Sequence, residues 1–199
     1  VTQPDRPRGR GQKLAPPEVK IAAETLGVPT LQPPRLKSKH LAESLRAYDP
    51  DLFVVVAFSI LPSTILEVPL LGSINLHPSL LPKYRGAAPI NWAVIRGEEE
   101  TGITTFLLSA RVDAGDVLIQ ERTPIGPDET AGELYERLKH RGAETVVATV
   151  DGLASGDLVA SPQSNDEATP APKLTKETGR IDWTAAASKI RNLVRGTNP

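Results

Sequence analysis

The hydrophobic pattern of the chain changes period repeatedly, and each change marks an element. Residues 18–26 carry apolar side chains at helical spacing and stop at Gly27, a residue suited to the left-handed turn that closes a helix. Val28 to Leu31 reads as a short strand, and Ser38 is placed to N-cap a helix running to Tyr48. Asp51 opens DLFVVVAFSILP, a continuous apolar run of the kind found in parallel strands covered on both faces. Pro62 introduces a short helix over 63–67, and 72–76 predicts the next strand. A helix is expected over 87–96, ended by Gly97, with Trp92 and Ile95 facing the core. ITTFLLS and VLIQERTPI flank the polar bend 110–116 and predict two adjacent strands in a hairpin-like excursion. Thr130 with Glu133 forms a capping box for a helix to about Gly152, with Leu134, Leu138, Val146, Val150 and Leu153 as its apolar positions. Gly142 inside it marks a kink or a close approach. Residues 161–172 are polar and Pro-rich, a linker or a crossing loop, and a last helix is expected from about Ala185 to Arg195. Helix and strand in alternation predict an α/β fold with a mostly parallel sheet and crossover helices.

One stretch organises the rest: SINLHPSLLPKYRG, residues 73–86. On a strand, Asn75 and His77 point to one face, and Ile74 and Leu76 to the other. Pro78 lacks a backbone N–H and has a fixed φ, so the strand is expected to stop there. A carboxamide and an imidazole would then stand side by side at the rim of an open α/β sheet, where ligands bind. Both can donate hydrogen bonds, and two converging donors suit an oxygen that becomes negative during a reaction. Asp113, in the bend RVDAGD, is the candidate to hold the imidazole and favour its charged form. The plainer alternative is that Asn75 caps a turn and His77 is a satisfied core histidine.

Composition narrows the choice. At 199 residues and 39% apolar, the chain can bury a core, and its net charge of −1 supplies no global field toward nucleic acid or membrane. Nucleic-acid contact must therefore come from a local patch. The stretch 4–17 is a loop by its four prolines and two glycines, and it clusters Arg6, Arg8, Arg10 and Lys13. It fits either a solvated surface or a basic loop that grips phosphates. Without cysteine there is no disulfide or thiolate metal site, and three histidines argue against a His-rich one. No apolar run approaches the roughly 20 residues that span a bilayer, and no signal peptide is visible, so a soluble cytoplasmic protein, no metal and no membrane partner are expected. No repeat, phosphate loop or dinucleotide glycine fingerprint appears. The chain contains no Met, opens on VTQPDRP and stops at RGTNP, which reads as a fragment of a longer protein.

With these residues in view, SINLHPSLLPKYRGAAPIN resembles the active-site segment of the folate-dependent formyltransferases. VTQPDRPRGRG at the start, KETGRIDW and the terminal NP are similar to the branch of that family acting on tRNA-bound methionine. The resemblance implies a Rossmann-like formyltransferase domain, with helices on both faces of the sheet, over residues 1–160. It lacks the family's first strand, and 161–199 would be a linker and helix leading toward a missing C-terminal barrel. It implies transfer of a formyl group from 10-formyltetrahydrofolate, a co-substrate, to the amino group of methionine on initiator tRNA, by a monomer without a metal. Asn75, His77 and Asp113 match the family's catalytic trio. Ser79, Leu80, Leu81 and Pro82 match its folate-contacting segment, which as an extended stretch with free backbone groups suits a pterin. Core packing is the alternative for Leu80 and Leu81. Arg6, Arg8 and Arg10 fall in the loop that the family directs to the tRNA acceptor stem. Phe58 and Ser59 stand where the family usually has Tyr-Gly or a similar pair. A relative acting on a small amine, nucleotide or amino sugar, would share the trio without needing the arginines. A catalytically silent folate-binding or RNA-binding module is the third possibility.

Overall fold

The computed structural model describes residues 1–199 apart from Arg10, Ser38, Phe58, Ser59 and Pro199, and apart from the side chains of Arg8 and Lys39. The proposed N-cap at Ser38 and the Phe58–Ser59 pair thus lie outside the described residues. The chain forms two compact units, one of residues 1–49 and 61–68, the other of residues 50–60 and 69–199.

In the first unit the Pro/Gly-rich opening stretch is not all loop. β1 (Arg6–Arg8) and β2 (Lys13–Ala15) pair antiparallel, with Pro7 opposite Leu14. Proline fits here because a two-stranded ribbon leaves outward groups unpaired. Gly9 and Gln12 turn the ribbon with positive φ. Asp5 anchors its base: Lys20 Nζ donates to both carboxylate oxygens at 3.1 and 2.9 Å, and Gln32 Nε2 to one at 2.7 Å. Those donors hold the Asp5 carboxyl below its usual range, Gln32 being the largest cause. α1 (Glu18–Thr25), α2 (Lys39–Arg46) and α3 (Ser63–Leu66) follow. Val28–Leu31 is not a strand; Val28 N–H donates to Ala23 O, and Leu31 O accepts from Thr2 N–H. α2 and α3 pack together, with Leu41, Ala42, Leu45 and Ile65 buried.

The second unit contains β3 (Phe53–Val55), β4 (Ser73–His77), β5 (Arg85–Gly86), α4 (Pro89–Arg96), β6 (Glu100–Leu107), β7 (Val117–Pro124), α5 (Ala131–Ser155), β8 (Pro170–Ala171) and α6 (Ala187–Gly196). Its sheet runs β3-β4-β6-β7. β3 and β4 are parallel, as the α/β pattern requires, while β4–β6 and β6–β7 are antiparallel, so the described sheet is mixed. The excursion at 100–124 accounts for the β6–β7 pair, since a hairpin joins antiparallel strands. The apolar run after Asp51 yields a strand of three residues, with Val54 47% and Val56 50% exposed, so it is not covered on both faces. β3 sits at the margin of the described sheet, where one side has no neighbouring strand.

The core lies where α4 and α5 meet β6. Ile90, Ala93 and Val94 of α4 are buried with Ile103, Leu134 and Leu138. The buried face of α4 is therefore rotated from the expected one: Trp92 is only partly buried, Ile95 lies against Gly196, and the indole Nε1 donates to Pro172 O. α5 is one continuous helix, and Gly142 marks a close approach, since a Cβ there would sit 2.6 Å from Leu76 Cδ2. Beyond it Thr145 and Thr149 are buried in place of Val146 and Val150. Their hydroxyls are satisfied by Glu121 Oε1 and Thr105 Oγ1, at 2.7 and 2.8 Å.

Candidate functional site

Strand β4 ends on His77, and Pro78 and Ser79 bend the chain away from the sheet as the missing proline N–H requires. Ile74 is fully buried and Leu76 packs on the core, so Asn75 and His77 share the opposite face of the pleat. His77 is itself buried, and its two ring nitrogens have different neighbours. Nε2 lies 2.8 Å from the carbonyl oxygen of Tyr84; a carbonyl only accepts, so Nε2 carries a proton. Nδ1 lies 3.7 Å from Asp113 Oδ2, close enough for charge attraction and too long for a hydrogen bond. Asp113 is thus brought to His77 across the sheet end, but the ring is gripped by Tyr84. Asn75 Oδ1 is buried and without a hydrogen-bond partner among the described residues. A carboxamide with an unmet end beside an imidazole fits a polar substrate group.

The support for this pair comes from YRG, residues 84–86, the end of the same sequence segment. Tyr84 has φ +61° and Asp113 φ +50°, both in the left-handed region that non-glycine residues avoid. Aspartate tolerates it; tyrosine needs compensation. Tyr84 receives it from three sides: its N–H donates to Thr169 Oγ1 at 2.9 Å, its hydroxyl donates to Glu98, and Arg96 stacks over its ring at 5.0 Å. Burial and the Glu98 carboxylate push the Tyr84 phenol up to about 12. Gly86 N–H donates to Asp113 Oδ2 at 2.9 Å. Gly86 has φ +126°, and a Cβ there would stand 2.6 Å from Ala171 O, so the parallel pairing of β5 with β8 demands glycine. Tyr84 and Gly86 were missed from the sequence because each acts through backbone, which carries no side-chain signature. The usable hint was that Pro78 and Pro82 oblige the chain to turn back near His77.

The electrostatics favour a ring that is neutral until charge develops. Burial drives the His77 pKa below its ordinary value, and the Asp113 carboxylate and the Tyr84 carbonyl pull the other way without overcoming it. The second proton, when it arrives, goes to Nδ1, facing Asp113.

The segment Ser79–Pro82 is a bend and turn rather than an extended stretch. Ser79 O accepts from Thr104 Oγ1 at 2.7 Å, and Ser79 Oγ donates to Lys83 O at 2.7 Å. Leu81 N–H donates to Thr104 Oγ1 at 3.3 Å, and Leu81 O accepts from Gln120 Nε2 at 2.9 Å. Three of the backbone groups expected to be free, Ser79 O, Leu81 N–H and Leu81 O, are therefore engaged by side chains of β6 and β7, while Ser79 N–H bonds His77 O and Leu80 O bonds Lys83 N–H. Leu81 is buried, the core-packing alternative, whereas Leu80 and Pro82 are half-buried, with Leu80 lying against Gly102. In the first unit Arg6 stands exposed on β1; the Arg8 side chain and all of Arg10 lie outside the described residues. An open groove of about 1010 Å³ beside α4 and α5, bordered by Ile90, Tyr135, His140 and Asn198, includes none of the candidate residues.

The polar segment 161–172 behaves as a crossing loop. Ser161 and Val117 exchange two backbone hydrogen bonds of 2.8 Å each, Thr169 O accepts from Arg85 N–H at 2.8 Å, and Ala171 is fully buried.

A sheet end bearing these groups belongs to a recognised class. The formyl transferase family model matches residues 1–150, and the chain belongs to that family; the model for the formyl transferase C-terminal domain matches residues 173–199. Within the family, the chain is 52% identical over 200 residues to the methionyl-tRNA formyltransferase of Geobacter metallireducens and 49% identical over 203 residues to that of Porphyromonas gingivalis. It is matched over its whole length and spans 64% and 63% of those proteins. Among solved structures, HypX from Aquifex aeolicus in complex with tetrahydrofolic acid shares the fold, with a TM-score of 0.68 at 24% identity over 79% of this chain and 27% of that one.

Proposed function

We propose that the full-length protein transfers a formyl group from 10-formyltetrahydrofolate to the α-amino group of methionine on initiator tRNA. The observation that carries this reading is the approach of His77 and Asp113 at the end of β4, in a chain half identical throughout to proteins of that activity. Residues 1–160 would form the catalytic domain, and 161–199 would lead toward a C-terminal domain. The protein would work as a cytoplasmic monomer; among the described residues no helix is long and apolar enough to cross a membrane.

The chemistry follows from the two ring nitrogens. The amine lone pair attacks the formyl carbon, and the carbonyl π pair moves to oxygen. Asn75 donates its amide N–H to that oxygen. His77 keeps Nε2 on the Tyr84 carbonyl and takes the proton leaving the amine at Nδ1. Asp113 offsets the imidazolium charge, and Nδ1–H⁺ then supports the oxyanion. The same proton passes to the departing folate nitrogen as the carbon–nitrogen bond breaks and the carbonyl re-forms. Leu80 and Pro82, the half-buried members of 79–82, would give the folate an apolar surface, with Ser79 and Leu81 fixing the turn beneath. Arg6, Arg8 and Arg10 would meet the phosphates of the acceptor stem.

The test is formyl transfer to methionyl-tRNA by the full-length protein and its His77→Ala variant. We expect kcat to fall by about 10²–10³, the typical loss for one such group, with folate binding retained. Unchanged kcat would remove the trio from the mechanism. Activity on an amino-sugar nucleotide in place of methionyl-tRNA would reassign the acceptor.

A further inference from the structure

We infer that Gln163, delivered by the crossing loop between the two family-model matches, is a positioning residue that holds Asp113 in register with His77. The inference rests on the transfer mechanism proposed above and extends it to a residue outside both matched segments.

The amide of Gln163 is used at both ends. Nε2 donates to the backbone carbonyls of Asp113, at 3.0 Å, and Gly115, at 2.6 Å. Oε1 accepts from Arg85 Nε at 3.2 Å and Nη2 at 2.7 Å. Carbonyls only accept and a guanidinium only donates, so the amide has one possible orientation. The third Arg85 contact, Nη1 to Asn165 Oδ1 at 3.0 Å, returns to the same loop. Arg85 immediately precedes Gly86, whose N–H binds the Asp113 carboxylate. Gln163 therefore closes a circuit: the backbone of Asp113 is tied to the loop, the loop to Arg85, and the next residue along to the Asp113 side chain.

The turn that Gln163 clasps needs such a tie. Asp113 sits at φ +50°, and Gly115 lies so close to β6 that a Cβ would fall 1.6 Å from Leu107 O. The main-chain carbonyls of Asp113 and Gly115, both buried residues, have no ladder partner among the described residues, and Gln163 supplies a bond to each. Asp113 is the one charged side chain within ion-pair distance of His77 among the described residues, and at 3.7 Å their attraction weakens as the carboxylate moves away. Ser161, paired with Val117, fixes the loop two residues earlier.

The experiment uses the full-length protein with Gln163→Met, close in size but without the amide, and Gln163→Glu, which keeps the acceptor for Arg85 and loses the donor. Imidazole titration by NMR reports His77, with the exposed His40 and His140 as internal controls. Gln163→Met should move the His77 midpoint to lower pH by about half a unit or more, because a displaced carboxylate no longer favours the charged ring; Gln163→Glu brings a carboxylate of its own and is read by kcat instead. His40 and His140 should stay in place. Transfer kcat should fall about ten-fold, with KM for folate and for methionyl-tRNA within about two-fold, since misplacing a group around the reacting atoms costs rate rather than binding. In an Asp113→Asn background, Gln163→Met should cost nothing further. An unmoved His77 midpoint, or an undiminished effect in that background, overturns the positioning role. Should the unaltered protein fail to formylate methionyl-tRNA, the proposed acceptor is wrong, and the His77 midpoint alone still decides for or against Gln163.

Discussion

His77 carries two jobs on one ring, and its environment separates them. Nε2 is spent on structure, bonded to the Tyr84 carbonyl, and Nδ1 faces Asp113, where the proposed transfer would place the amine's proton. Burial is the largest influence on its titration and keeps the ring neutral at lower pH than a free imidazole. The folded state therefore binds fewer protons than the unfolded chain once pH falls below the ordinary value of 6.5. Stability from this group is fully present above 6.5 and is lost as pH drops through that value toward the lower folded one. We expect the urea midpoint of the protein to fall between about pH 7.5 and 5.5, and His77→Gln to flatten that fall. An equal or steeper dependence in the variant would contradict the assignment. The same neutrality suits a proton acceptor: a ring already charged could not take the amine's proton.

At the scale of elements, local chemistry was often enough. Thr130 Oγ1 accepts from Glu133 N–H at 3.2 Å, and Glu133 Oε2 accepts from Thr130 N–H at 2.9 Å, so the capping box forms as read from T-x-x-E. Thr130→Ala should lower stability by about 1 kcal/mol in thermal or chemical unfolding while leaving kcat unchanged. A loss of rate without a loss of stability would show that the cap does something beyond starting α5. Elsewhere local signals stopped short. The apolar run after Asp51 promised a long covered strand, yet β3 keeps three residues and exposes Val54, because hydrophobicity does not encode where a strand lies in the sheet order. Trp92 and Ile95 have helical spacing, but Ile90, Ala93 and Val94 have the position. Thr145 and Thr149 are polar by composition and buried by partnership, since Thr105 and Glu121 stand ready to bond them.

At the scale of the molecule, charge is local rather than global. A net charge of −1 gives this chain no long-range pull on RNA, and the tRNA contact proposed above rests on the local arginines near the N-terminus. Replacing Arg6, Arg8 and Arg10 with Gln should weaken methionyl-tRNA binding and flatten its salt dependence. Each lost phosphate contact removes roughly 0.7–0.9 from the slope of log affinity against log salt. An unchanged slope in filter-binding measurements at about 50 to 200 mM salt would place the RNA contact elsewhere. Asp5 belongs to the same question, since its bonds to Lys20 and Gln32 set the base of the ribbon that bears Arg6.

By itself the sequence determined several features that depend on neighbours within one turn or one pleat, though it misjudged 4–17, 28–31 and 79–82. Two-residue alternation put Asn75 and His77 on one face of β4, Pro78 ended the strand, Thr130 began a helix, and a polar bend between two β-rich runs made a hairpin. Asp113 could be nominated because an acid was needed and that bend was the place for one. Only the tertiary structure decided what holds the nominees. The Tyr84 carbonyl, the Gly86 N–H and the Gln163 amide act across 7, 27 and 50 positions of chain. Two of the three are main-chain groups: every residue has the carbonyl, and every residue but proline the N–H. A pattern of side chains can announce an imidazole or a carboxylate; it cannot announce which of many identical peptide groups will be folded against it.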